Sequence, residues 1–170
     1  MNQASHSSVT TLRSLSQKVS NYNGYEDVVS RERSDRELRD HLVREIDAIL
    51  QQYDAIGKTE NSEDQPELDK FVESTKRKLN TLCESLSNPT YSGVAFFSMD
   101  RIPENRLSRL YDLESGLLDE MEMIAEETAS LLGNSLRKEV FEDHFLHIYD
   151  FVDNVNQFLF EREARILGDD

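Results

Sequence analysis

The chain has 170 residues, a formal net charge of −15, 31% charged residues and one cysteine. This length fits one domain and is enough to bury a hydrophobic core. So negative a chain repels phosphate backbones and anionic lipids, which disfavours a main role in binding nucleic acid or membrane surfaces. A single cysteine excludes a disulfide framework within the chain, and we expect Cys83 to be a small buried side chain rather than a reactive thiol.

The negative charge is concentrated in the second part of the chain. Residues 1–60 carry 8 basic and 10 acidic residues, whereas residues 61–170 carry 11 and 24, a net charge of −13. The polar N-terminal segment has no features of a secretory signal, and no apolar stretch approaches the ~20 residues of a membrane-spanning helix. These features predict a cytoplasmic protein with a flexible tail at residues 1–7.

The first two predicted helices are amphipathic. Apolar residues at every third or fourth position predict a short helix over residues 8–22, ended by Asn23-Gly24. The second helix has a capping-box pattern at residues 34–37, although it could begin as early as Asp27. Its apolar positions are spaced almost like the seam of a coiled coil. They are Leu38, Leu42, Ile46, Ile49, Tyr53 and Ile56.

A polar loop is predicted at residues 57–65, and Pro66 is well placed to open a third helix. Asn88-Pro89 should stop that helix, because the residue before a proline disfavours helical backbone angles. The following segment, Tyr91 to Ile102, is apolar without a clean period. We expect it to fold back and cover the core at one end of the protein.

The last two helices are predicted to be long and to form a hairpin. The fourth begins at Pro103 and the fifth at Ser135, with the short connection Gly133-Asn134 between them. The apolar stripe of the fourth helix is wide enough to contact more than one neighbour. The sequence therefore predicts an all-α fold, an elongated antiparallel helical bundle of four main helices plus a short N-terminal helix, forming one domain over residues 1–170.

Several segments resemble an uncharacterised prokaryotic all-helical family with a GY…KE..RR.AD..LR segment and a YGYAGFFD-like loop. The matching pieces are Gly24-Tyr25, Arg31-Glu32-Arg33, Ser34-Asp35, Leu38-Arg39, YSGVAFF (91–97), LYDLE (110–114) and FEREARILG (160–168). Two departures stand out: Val94-Ala95 interrupts the loop motif, and Ser34 replaces an alanine before Asp35. The resemblance covers nearly the whole chain and implies a helical architecture, but it implies no functional residue.

The best metal-site candidate is the segment DHFLHIYD, in which His144, His147 and Asp143 lie on adjacent helical turns. Imidazole and carboxylate ligands suit zinc or iron. The Glu-x-x-His pair of di-iron bundles is missing, however, and both histidines fall beside the apolar stripe. A surface or half-buried histidine is the competing interpretation.

Other charged residues are also open to two interpretations. The acidic group between Asp119 and Glu127 is either a solvated helix face or a divalent-cation site. The arginines between Arg31 and Arg44 alternate with acidic residues, which favours ion pairs over an anion-binding or acidic-protein site. Glu114 lies on the shoulder of the apolar stripe and is a candidate to pair with a basic residue across the hairpin.

These patterns predict a non-catalytic interaction or scaffold protein that acts through helix packing and self-association and has no cofactor. The reason is that the last two helices offer more apolar surface than one neighbouring hairpin covers. The predicted interaction surface consists of Tyr91, Phe96, Phe97 and Phe151. The partner is a second copy or a basic protein, and the alternative function is a metal-binding bundle using His144, His147 and Asp143.

Overall fold

The computed structural model describes residues 4–59, 66–133 and 138–168. Within these ranges the chain forms five α-helices and one short 3-10 turn, with no β-strand. The helices are α1 (Ala4–Lys18), α2 (Val28–Thr59), α3 (Pro66–Ser87), α4 (Glu104–Gly133) and α5 (Lys138–Leu167), and the 3-10 turn is Ala95–Phe97. The prediction of an all-α helical bundle is confirmed.

The ends of α1 and α2 differ from the predicted ones. α1 begins at Ala4, within the predicted tail, and ends at Lys18 rather than near Tyr22. α2 begins at Val28, so the earlier of the two starts is correct and residues 34–37 lie inside the helix. The Ser34 hydroxyl accepts a hydrogen bond from the backbone N–H of Asn23 at 3.1 Å, and it therefore holds the α1–α2 connection.

Two predicted connections fall largely outside the described residues. Of the predicted polar loop at 57–65, residues 57–59 belong to α2, and residues 60–65 are not described. Gly133 is the last residue of α4, and residues 134–137, including Ser135 at the predicted start of the fifth helix, lie outside the described ranges.

α4 lies at the centre of the packing. It contacts α5, α1 and α2, while α3 packs against α2 and α5. Buried side chains along α4 include Leu110, Leu117, Ile124 and Leu131, so the wide apolar stripe is covered by three helices of the same chain. The apolar surface of this wide stripe is therefore covered by helices of the same molecule.

Polar pairs join α4 to α5 in reverse order along the two helices. Side chains near the start of α4 bind the end of α5, and those near the end of α4 bind its first half. The pairs are Arg106 with the carbonyls of Arg165 and Ile166, Glu114 with Arg162, Glu120 with Asn154, and Glu127 with His144.

The α1–α2 connection requires a glycine at one position. Gly24 has a φ of +73°, a backbone conformation that favours glycine. A Cβ atom there would lie 2.6 Å from the Tyr111 hydroxyl and 2.7 Å from Leu12 Cδ1. The connection thus approaches α4 more closely than any side chain would allow.

None of the helices within the described ranges has the length and apolar character needed to cross a bilayer.

Candidate functional site

The predicted interaction surface is mostly inside the protein. Tyr91, Phe96 and Phe97 are buried, and Phe151 is half-buried against the core. Phe96 and Phe97 belong to the 3-10 turn, which packs against α2 and α5. The Tyr91 to Ile102 segment therefore covers one end of the core, as expected, and its aromatic side chains do not form an exposed patch.

The Nδ1 atoms of two predicted metal ligands, His144 and His147, both lie near Glu127 Oε1, at 3.2 and 3.4 Å. His144 is buried, and its Nε2 and Nδ1 atoms lie 3.3 Å from the Tyr53 hydroxyl and 3.2 Å from Glu127 Oε1. His147 and Asp143 are exposed. Burial lowers the pKa of His144, although the nearby Glu127 carboxylate opposes this effect. Among the described residues no three His, Cys, Asp or Glu side chains are grouped so that they could hold a metal ion.

A buried ion pair links α4 to α5 near the end covered by the 3-10 turn. Arg162 Nε donates to Glu114 Oε1 at 2.8 Å, and these side chains are only 2% and 0% exposed. This contact confirms the prediction that Glu114 pairs with a basic residue across the hairpin. Tyr25 also donates to Glu114 Oε1, at 2.6 Å, and Tyr22 donates to Oε2.

The same arginine connects α5 to α2. Arg162 Nη2 donates to Asp35 Oδ1 at 2.7 Å, and Arg162 Nη1 donates to the Tyr91 hydroxyl at 2.8 Å. Tyr91 in turn donates to Asp35 Oδ1, and Arg39 Nε donates to Asp35 Oδ2. One guanidinium thus holds carboxylates from two helices, a geometry that its fixed fork of donors favours.

We call this cluster the buried polar network. It consists of Tyr22, Tyr25, Asp35, Arg39, Tyr91, Tyr111, Glu114 and Arg162.

A second buried arginine, Arg31, holds the loops that surround the network. Its guanidinium donates to four backbone carbonyls, at distances between 2.5 and 3.2 Å. They belong to Tyr25 and Glu26 before α2, and to Phe96 and Met99 around the 3-10 turn. Arg31 therefore joins two connections that are about seventy residues apart in the sequence, instead of forming the ion pair expected from its charged neighbours.

Burial and pairing shift the two carboxyl groups in opposite directions. Complete burial raises the pKa of Glu114, and Arg162 with its other donors counters this rise only in part. Burial alone would raise the pKa of Asp35, but the charges of Arg162 and Arg39 outweigh it, so its pKa is lowered. Arg162 therefore favours the charged form of both carboxyl groups.

Tyrosines supply most of the remaining donors. We call Tyr22, Tyr25, Tyr53, Tyr91 and Tyr111 the five buried tyrosines. Burial is the largest cause of the raised pKa of each of them. The pKa of Tyr111 is raised to about 12, and its hydroxyl accepts the backbone N–H of Tyr25 at 2.9 Å. These phenols are therefore held neutral, as hydrogen-bonding groups rather than as bases.

Two small clefts open on either side of Tyr91. One has a volume of about 260 Å³ and is lined by Glu32, Asp35, Arg36 and Arg39 together with the Pro89–Phe97 loop. The other, of about 200 Å³, reaches Arg39, Arg162 and Glu163. The carboxylate of Asp35 and the guanidinium of Arg162 already bind other groups of the chain. The charged groups that these two clefts reach therefore already have hydrogen-bond partners.

The sequence indicates this network through charged residues that fall on the apolar stripe of a helix. Asp35 lies three and seven residues before Leu38 and Leu42, on the apolar line of α2. Arg162 lies three residues after Leu159 and four before Ile166, on the stripe of α5. Such positions face the core, so a charge there must find buried partners. The sequence interpretation expected ion pairs between the arginines of residues 31–44 and their acidic neighbours, of which Asp35–Arg39 is one, but it did not identify Arg162 or the burial of Asp35.

The remaining candidate residues are the acidic group of α4 and Cys83. Asp119 and Glu122 are exposed and both bind Lys18 of α1 at 3.0 Å, which matches a solvated helix face with ion pairs. Cys83 is half-buried, and burial raises the pKa of its thiol.

The segments that carry the family resemblance supply most of the buried polar network, from Tyr25 near the N-terminus to Arg162 in α5. Comparison of the chain with protein-family models, curated proteins and solved structures finds no significant match in any of the three.

Proposed function

We propose that the protein is a non-catalytic interaction or scaffold protein that acts through helix packing and associates with a second copy of itself. The observation that carries the proposal is the closure of the buried polar network. Both oxygens of Asp35 and both oxygens of Glu114 accept bonds from side chains of the same chain. A catalytic carboxylate must have an oxygen available to a substrate, whereas the oxygens of these two already accept hydrogen bonds from arginine and tyrosine.

In this proposal the network fixes the arrangement of the helices. It joins the α1–α2 connection, α2, the loop before the 3-10 turn, α4 and α5 through directional bonds. The reversed order of the α4–α5 pairs supports an elongated antiparallel bundle, which provides long outer faces for a partner. The meeting of the resemblance segments at one network supports membership of the helical family named above.

The outer faces differ strongly in charge, which supports recognition by electrostatic complementarity. The stretches 110–133 and 139–161 contain no lysine or arginine and carry thirteen aspartates and glutamates along α4 and α5, of which Glu114 is buried in the network. The α3 helix, by contrast, contains four basic residues, Lys70, Lys76, Arg77 and Lys78, which balance its four acidic residues. A chain that carries strongly acidic helices beside exposed cations such as Lys70 and Arg77 can bind a second copy of itself.

The test is the mass of the full chain in solution by light scattering at micromolar concentration. We expect the mass of a dimer or a larger assembly. A mass of one chain would contradict self-association and would leave a basic protein as the remaining partner for the acidic faces.

A further inference from the structure

A wide groove with a positively charged lining lies between α3 and α5. It has a volume of about 600 Å³ and is lined by Lys70, Phe71, Ser74, Arg77, Glu142 and Tyr149. Lys70 and Arg77 are exposed at its rim, whereas Phe71 and Tyr149 are half-buried in its wall. Glu142 reduces the net charge of the lining, which is nevertheless positive in a chain of net charge −15.

An acidic ridge runs beside this groove on α5. Asp143 and Asp150 are exposed and lie seven residues apart, two helical turns, with Leu146 between them. Leu146 is 59% exposed, which leaves an apolar side chain in the middle of the ridge. On a helix that turns 100° per residue, Leu146 points between the groove side, at Glu142 and Tyr149, and the ridge side, at Asp143 and Asp150.

The groove and the ridge have the same spacing of charges. Lys70 and Arg77 are also seven residues apart, so each pair of charges spans about 10.5 Å along its helix. They lie at matching levels of the bundle as well. Phe71 packs against Phe141 and Phe145 near one end of the groove.

At the other end, Lys78 lies over the Tyr149 ring and binds Asp153 at 3.6 Å. α3 and α5 therefore run in the same direction here, with Lys70 near the level of Asp143 and Arg77 near the level of Asp150.

We propose that this face binds a second copy of the chain, with the acidic ridge of each copy on the basic groove of the other. A two-fold axis parallel to α5 and passing beside Leu146 brings Asp143 to Lys70 and Asp150 to Arg77 of the second copy. The same operation repeats both contacts in reverse and places the two Leu146 side chains together. Such a closed, self-complementary contact is the usual geometry of a homodimer.

This inference rests on the proposed self-association and identifies its surface. Opposite charges that lie at equal spacing also fix the register of the contact. Because the charged groups are at the rim, their attraction is screened by salt. The dimer should therefore dissociate more readily as ionic strength rises.

The test is a charge exchange, followed by sedimentation equilibrium of the full chain. The variant K70E/R77E places four acidic groups against one another on each half of the contact, and D143K/D150K does the same with basic groups. We expect each double variant to raise the dimer dissociation constant at least about tenfold, a typical effect of opposed like charges. The variant that combines all four changes should restore the dimer, because every pair is again of opposite sign.

The matched control is Arg13→Glu, a charge reversal at an exposed position of α1 away from this face. It should leave the dissociation constant unchanged, and circular dichroism of each variant checks that the helices are intact. A dimer that resists both double variants would overturn this interface while leaving the proposed self-association standing. A native chain that sediments as a monomer would overturn both.

Discussion

Replacing Arg162 by methionine tests whether the buried polar network holds the bundle together. Methionine keeps much of the side-chain volume but removes the donors to Glu114, Asp35, Tyr25 and Tyr91. Two carboxylates, 0% and 5% exposed in the intact protein, then lose their main positive partner. Removing one member of a buried ion pair costs about 3–5 kcal/mol, because the remaining charge is left uncompensated. We expect R162M to lose that much free energy of unfolding.

The assay is urea denaturation followed by circular dichroism, with R109M as the matched control. Arg109 also links α4 to α5, through Glu161 at 2.9 Å, but its side chain is 53% exposed. An exposed pair of this kind contributes less than about 1 kcal/mol. The two variants thus remove the same kind of contact between the same helices at different depths.

The double variant E114Q/R162M isolates the pair itself. Because the glutamine carries no charge, the second change should cost less than it does in the intact protein. The loss in free energy of unfolding caused by R162M should also become smaller as the pH is lowered, because the uncompensated carboxyl groups then bind protons in the folded state. If R162M and R109M lost equal stability, the reasoning about the network would be refuted.

Two further predictions concern the backbone turn and the tyrosines. Gly24→Ala should destabilise more than Gly93→Ala: both positions have positive φ, which costs about 1–2 kcal/mol for alanine, but only at Gly24 would the new Cβ press on the Tyr111 hydroxyl. Equal losses in the two urea midpoints would contradict this. Stability should also fall above about pH 10, where tyrosines of the unfolded chain ionise while the raised pKa values keep the five buried tyrosines neutral. A urea midpoint that stays constant from about pH 9 to about pH 11 would contradict it.

The buried polar network also bears on how the bundle reaches a single arrangement. Apolar seams between long helices tolerate a shift by one turn, because leucine packs against leucine in either position. A shift of α5 by one turn would move Arg162 away from Glu114 and Asp35 and leave the buried carboxylate of Glu114 without its cationic partner. The network therefore selects one register, which the proposed scaffold role needs if the outer charges are to meet a partner at fixed spacing.

Much of the fold could be predicted from the sequence. Apolar residues at helical spacing located the five helices of the described ranges, and Pro66 begins α3 as expected. The ends of α1 and α2 were harder to predict. The residues at Ser34 resemble a capping box, but the Ser34 hydroxyl accepts a hydrogen bond from Asn23 in the α1–α2 connection instead of capping a helix. The aromatic residues Tyr91, Phe96 and Phe97 carry no periodic signal, so their burial depends on which helices lie beneath them.

The sequence by itself determined the all-helical class and the places of the long helices, because both follow from local spacing. It also determined that Glu114 pairs with a basic residue, because burying a lone charge is costly. Only the tertiary structure decided that this basic residue is Arg162, that Asp35 shares it, and that Arg31 binds backbone carbonyls instead of carboxylates. Those contacts join residues that are far apart along the chain. Their geometry depends on the relative rotation and height of whole helices, which the periodicity of one helix does not specify.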